Sequence, residues 1–125
     1  MSKKILIIED DKILAELLEK KLKNAGFEVV LAFDGKEGLA SLRANKPDLI
    51  LLDIVMPKKN GMELMEEMNK DPETNLTKIP VIVISNSGEP VEIDRVLELG
   101  AKDYLIKTEF NPQEVIEKVI KQIGS

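Results

Sequence analysis

The chain has 125 residues, 43% of them hydrophobic and 33% charged, enough for one compact domain over 1–125 with a real buried core. With 18 basic against 23 acidic residues, a net charge of -5 and only 3% aromatic residues, it does not read as a phosphate-backbone binder, which argues against direct nucleic-acid contact. Zero Cys and zero His exclude disulfides, thiolate nucleophiles and the commonest general base and transition-metal ligand, so any chemistry must use carboxylates, hydroxyls and amines.

Met1-Ser2-Lys3-Lys4 leads straight into a strand rather than a signal peptide. No apolar run is long enough to span a bilayer, so no membrane association and a cytoplasmic location are expected. Ile5-Leu6-Ile7-Ile8 is the pattern of a strand buried on both faces, and it ends in Glu9-Asp10-Asp11. The spacing of Leu14, Leu17, Leu18, Leu22 and Ala25 predicts a helix packed by that face, with Gly26 as its stop. Val29-Val30-Leu31 is a second, shorter strand without a comparable polar end, and Gly35 to Ala44 reads as a short helix with Leu39 and Leu42 inward.

Leu49-Ile50-Leu51-Leu52 is a third buried strand, closed by Asp53, after which Pro57 and Gly61 break the chain into a loop. A carboxylate at the end of such a run is costly unless partnered, by several kcal/mol as a rough figure. Met62, Met65 and Met68 mark a third helix, a stripe that reads as core. After the polar loop Asp71 to Lys78, the strand Val81-Ile82-Val83-Ile84 ends at Ser85-Asn86-Ser87-Gly88. A fourth helix begins near Pro90, carries Val91, Val96 and Leu97, and stops at Gly100. Tyr104-Leu105-Ile106 is a fifth strand ending at Lys107. Asn111-Pro112-Gln113-Glu114 then supplies a cap, a proline at the first helical position and a capping-box Glu for a last helix carrying Val115, Ile116, Val119, Ile120 and Ile123.

Five strands alternating with helices predict a parallel sheet covered on both faces, a three-layer α/β/α sandwich. Sites in such sheets lie outside the carboxyl ends of the strands. Glu9 with Asp10, Asp53, Ser85 and Lys107 all fall at those ends and should converge. Carboxylates crowded at Glu9, Asp10 and Asp53 repel unless a cation neutralises them, and oxygen-only ligands suit Mg²⁺. One carboxylate left with an open face becomes a nucleophile toward phosphorus, giving an aspartyl phosphate. Phosphoryl transfer needs charge stabilisation at three equatorial oxygens: Mg²⁺ serves one, the Lys107 ammonium a second, the Ser85 hydroxyl a third.

In this order and spacing, Ile7-Ile8-Glu9-Asp10-Asp11, Leu51-Leu52-Asp53-Ile54-Val55-Met56-Pro57 with Gly61, Val83-Ile84-Ser85, and Gly100 to Lys107 resemble the receiver domains of two-component response regulators, over essentially the whole chain. The resemblance implies the flavodoxin-like strand order 2-1-3-4-5. It implies a phosphoacceptor at Asp53 and Mg²⁺ bound by Asp10, Asp53 and the Val55 carbonyl, with Glu9 assisting. It also implies a histidine kinase or phosphotransfer protein as donor, and a phosphorylation-dependent protein target on the surface of the fourth helix, fifth strand and last helix. On that reading Ser85 moves toward the phosphoryl group and Tyr104 rotates inward as it does so.

Three positions depart from the family pattern: Asn86 follows the hydroxyl where a small residue is usual, Thr108 follows Lys107 where proline is common, and Val55 offers no polar group to orient a hydrolytic water. Val55 and Asn86 are therefore the positions that govern water access to Asp53. Two rival readings remain, a phosphatase-like enzyme working through an aspartyl phosphate and a flavodoxin-like cofactor carrier. The first usually carries a second Asp where Val55 stands, and the second needs a phosphate-cradling loop where Glu9-Asp10-Asp11 stands. The chain stops after its last predicted helix, which fits either a stand-alone receiver or a domain of a longer protein.

Overall fold

The computed structural model describes residues 2–54, 60–86, 89–109 and 111–124. Strands and helices alternate: β1 (Lys4–Ile8), α1 (Lys12–Asn24), β2 (Glu28–Ala32), α2 (Gly35–Asn45), β3 (Leu49–Asp53), α3 (Gly61–Lys70), β4 (Val81–Ser85), α4 (Pro90–Glu98), β5 (Asp103–Ile106) and α5 (Pro112–Ile123). The strands form one parallel sheet in the order β2-β1-β3-β4-β5. β3 and β4 are buried at every residue, which is why their sequences are unbroken apolar runs rather than alternating ones.

Alternation along each strand sorts the core into two clusters. Ile5, Ile7, Leu49, Leu51, Ile82, Ile84 and Leu105 pack under α1 and α5, through Leu18, Leu22, Val115 and Val119. Leu6, Ile8, Ile50, Leu52, Val81 and Val83 face α2, α3 and α4, meeting Leu42, Leu64, Met65, Met68 and Val96, so the methionine stripe is core as expected. Asp11, Asp34, Asn60 and Asn111 cap α1, α2, α3 and α5 through side-chain oxygens. The Asn111 cap is the one the sequence signals; Gly26, at a φ of 97°, ends α1 where the sequence places its stop.

Helix faces are where sequence and structure part. On α1 the buried positions are Ala15, Leu18 and Leu22, while Leu17 is exposed and Ala25 is the exposed cap residue. On α4 only Val96 is buried; Val91 is 81% exposed and Leu97 is exposed too, as is Ile120 on α5. Apolar spacing marks a helix but does not say how wide a stripe the sheet covers, and α4 lies near the sheet's β5 edge.

Gly61 is not a loop residue but the first residue of α3, following the Asn60 cap. Its N–H donates to the Ile54 carbonyl at 2.7 Å. A Cβ there would lie 2.6 Å from the Asp53 carbonyl oxygen and 2.8 Å from the Ile54 Cα, so glycine is required by close backbone approach. Every described peptide bond is trans, Lys107–Thr108 included.

Candidate functional site

The C-terminal edge of the sheet opens into a cleft of about 560 Å³ lined by Asp10, Asp53, Ser85, Asn86 and Lys107, with Asp11, Glu89 and Glu92 on its walls. Each strand delivers its residue by register. Asp53 pairs with Ile84, placing Ser85 one step beyond it, and the Lys107 amide donates to the Ser85 carbonyl at 2.8 Å. Glu9, just past β1, is fixed by its own amide donating to the Ala32 carbonyl at 2.9 Å.

The centre of the site is the Lys107 ammonium. It stands 2.7 Å from Glu9 Oε1 and 3.3 Å from Asp53 Oδ2, bridging two buried carboxylates, Glu9 at 2% and Asp53 at 4% exposure. The bridge follows from strand parity: Glu9, Asp53 and Lys107 continue the alternation of Ile5-Ile7, Leu49-Leu51 and Leu105, the residues facing α1 and α5. The second Glu9 oxygen accepts from the Asp11 N–H at 3.2 Å, and Asp11 in turn accepts from the Ile13 and Leu14 amides at the start of α1. Ser85, 1% exposed, has the opposite parity, continuing Val81 and Val83.

Burial pushes the Asp53 carboxyl up to about 7, helped by hydrogen bonding to and repulsion from Glu9, against the pull of Lys107. Burial works against the charge on Lys107, but the Glu9 hydrogen bond and the Asp53 and Glu9 charges outweigh it and hold the ammonium above its ordinary value. Glu9, Asp10 and Asp53 each offer a carboxylate oxygen within 4.8 Å of the others. A mutually repelling, oxygen-only donor set of this kind, two of its members buried, fits a small hard cation such as Mg²⁺.

The structure thus brings together Glu9, Asp10, Asp53, Ser85, Asn86 and Lys107. Val55, expected as both a carbonyl ligand and a gate to water, lies outside the described residues. Tyr104 is not in the cleft; it is half-buried on β5 opposite Val83, packed against the cluster under α2 to α4, on the same side of the sheet as Ser85. Sequence reasoning missed the Lys107–Glu9 pair, which strand parity could have signalled. It also missed Glu89 and Glu92, whose place depends on the tilt of α4 and carries no local signal.

The model of the response regulator receiver domain family matches residues 5–120. The transcriptional regulatory protein CpxR of Klebsiella pneumoniae subsp. pneumoniae (strain HS11286) is 43% identical over 118 residues, covering 93% of this chain and 47% of that protein, so the chain spans about half the length of this curated relative. Among solved structures, the receiver domain of the Francisella response regulator 1452 is 33% identical with a TM-score of 0.85, covering 94% of this chain and 93% of that one. The phosphorylated cyanobacterial phytochrome response regulator RcpA is 36% identical with a TM-score of 0.81, covering 98% and 91%. The chemotaxis protein CheY4 of Vibrio cholerae is 25% identical with a TM-score of 0.87, covering 97% and 98%. These matches favour neither the phosphatase-like nor the flavodoxin-carrier reading. Fold, order of motifs and relatives agree, and the chain belongs to the response regulator receiver domains, the signalling modules of two-component phosphorelays.

Proposed function

We propose that the chain acts as one receiver unit over residues 1–125, accepting a phosphoryl group on Asp53 from a histidine kinase or phosphotransfer protein. The observation that carries this reading is the Lys107 ammonium held between Glu9 and Asp53 in an open cleft. An Asp53 oxygen attacks phosphorus, and the bond from phosphorus to the donor's leaving group breaks with the electron pair going to the leaving group. Lys107 pairs with one phosphoryl oxygen and the Ser85 hydroxyl donates to another. Asp10 and Asp53, with Glu9 assisting and the Val55 carbonyl as a further ligand, would hold Mg²⁺, which when bound supplies neutralisation of the remaining phosphoryl charge. The only reactions ascribed to the chain are its own phosphorylation and dephosphorylation, with Val55 and Asn86 controlling water access, and a cytoplasmic site of action belongs to the same reading. Among the described residues, no helix is long and apolar enough to cross a membrane.

The output is a phosphorylation-dependent protein target on the face of α4, β5 and α5, with no direct nucleic-acid contact. Support comes from Ser85 and Tyr104 sharing one side of the sheet, so that a hydroxyl drawn toward a phosphoryl group vacates space on the side where the Tyr104 ring packs. Incubation with acetyl phosphate and Mg²⁺ should add one labile phosphate by intact-mass spectrometry, absent without the metal and absent in Asp53→Asn. Label persisting on that variant overturns the assignment.

A further inference from the structure

We propose that Asn60 is a latent deamidation site which the fold holds shut, and that its isoaspartyl product dismantles the backbone beside Asp53. Asn60-Gly61 is the only Asn-Gly pair in the sequence. Glycine offers an Asn side chain its least hindered neighbour, because no Cβ shields the backbone nitrogen. The reaction is intramolecular. The Gly61 nitrogen loses its proton to hydroxide and attacks the Asn60 Cγ; the bond from Cγ to Nδ2 then breaks, and ammonia leaves with that electron pair and a proton from water. Water next opens the succinimide at either carbonyl, leaving an aspartyl or an isoaspartyl residue at position 60.

The structure opposes that attack at both reacting groups. The Asn60 side chain caps α3, its Oδ1 accepting from the Glu63 N–H at 2.9 Å. The Gly61 N–H donates to the Ile54 carbonyl at 2.7 Å, so the proton that the attacking nitrogen must lose is held in a hydrogen bond. Both bonds have to open before the ring closes, which corresponds to a slowing of roughly ten- to a hundredfold. The two products then differ in effect. An aspartyl residue keeps the cap, since Asp serves as well as Asn at a helix N-terminus and its charge suits the dipole there. The isoaspartyl product routes the main chain through the side-chain carbon and lengthens it by a methylene just ahead of Gly61. Gly61 has no slack to take this up: a Cβ there would already lie 2.6 Å from the Asp53 carbonyl oxygen and 2.8 Å from the Ile54 Cα. The cap and the Gly61–Ile54 bond are lost together, and the chain behind Asp53 loses its support. The consequence for phosphorylation rests on Asp53 as the phosphoacceptor; the lock itself does not.

The test is to age the protein in mildly alkaline buffer, folded or in urea, and to follow the peptide carrying position 60 by mass spectrometry and chromatography. Wild type in urea should convert roughly ten- to a hundredfold faster than the folded chain. Asn60→Ser, which keeps a capping oxygen and has no amide to lose, should not convert at this position. After refolding, urea-aged wild type should melt lower than fresh protein. It should also lose Mg²⁺-dependent labelling by acetyl phosphate in proportion to its isoaspartate content. Freshly made Asn60→Asp, and Asn60→Ser aged and refolded in the same way, should melt and label like fresh wild type. Equal conversion rates in the folded and urea-treated chains overturn the proposal, as do equal losses in aged Asn60→Ser or isoaspartyl protein that melts and labels like the fresh chain. If fresh wild type takes no label at all, the phosphoacceptor reading falls, and the conversion rates and melting temperatures still decide this one.

Discussion

With its carboxyl pushed up to about 7, Asp53 holds a proton more tightly in the folded chain than at its ordinary value of 3.8. A group shifted in this direction contributes stability that is complete below about 3.8 and is lost as pH rises through about 7. Without divalent cations, Asp53→Asn should therefore be more stable than wild type above neutrality, by on the order of a few kcal/mol. The gap should narrow toward acid, where wild-type Asp53 is itself neutral. Urea unfolding of both proteins at about pH 5 and about pH 8 checks this, and a gap of the same size at both values refutes it. This cost was visible in the sequence, as an Asp ending a run of four aliphatic residues. Its partner was only half visible: Lys107 was placed at the site, but its contact with Glu9 depends on three strand ends sharing one side of the sheet.

α4 is the helix with the thinnest attachment. Among the described residues it buries Val96 alone, and its ties to the rest of the fold include the exposed Arg95–Glu66 ion pair at 3.2 Å and Asn69, which donates to the Leu99 carbonyl at 2.8 Å just beyond the helix end. An exposed pair of this kind contributes at most about 1 kcal/mol. Amide hydrogen exchange should therefore be faster along α4 than along α1 and α5, and Asn69→Ala should speed it further, since it also strands the Leu76 N–H that Asn69 accepts. Protection of α4 equal to that of α5 would count against this. The same thin attachment explains why the strands were legible and this helix's inner face was not. A strand buried on both sides writes its burial as an unbroken apolar run, whereas Val91, Val96 and Leu97 look alike in sequence and only packing against the sheet separates the one buried residue from its two exposed neighbours.

Across the whole molecule, the folded state brings Asp53 to the neighbouring pair Glu9 and Asp10, from which it is far removed in sequence and in the unfolded chain, so a cation that needs all three binds the fold and stabilises it. Millimolar-scale Mg²⁺ should raise the melting temperature by a few degrees, roughly as expected for about 1 kcal/mol in a chain of this size, and Asp10→Asn should blunt the rise. Equal shifts for the two proteins would argue against a metal at this place. The sheet's alternation has a further consequence. Glu9, Asp53 and Lys107 belong to the side covered by α1 and α5, Ser85 and Tyr104 to the side covered by α2, α3 and α4, and β5 is the edge strand where the two sides meet. A target seated on the proposed surface across β5 would touch α4 on one side and α5 on the other. It would then lie against both layers at once, the one on the side of Glu9, Asp53 and Lys107 and the one on the side of Ser85 and Tyr104.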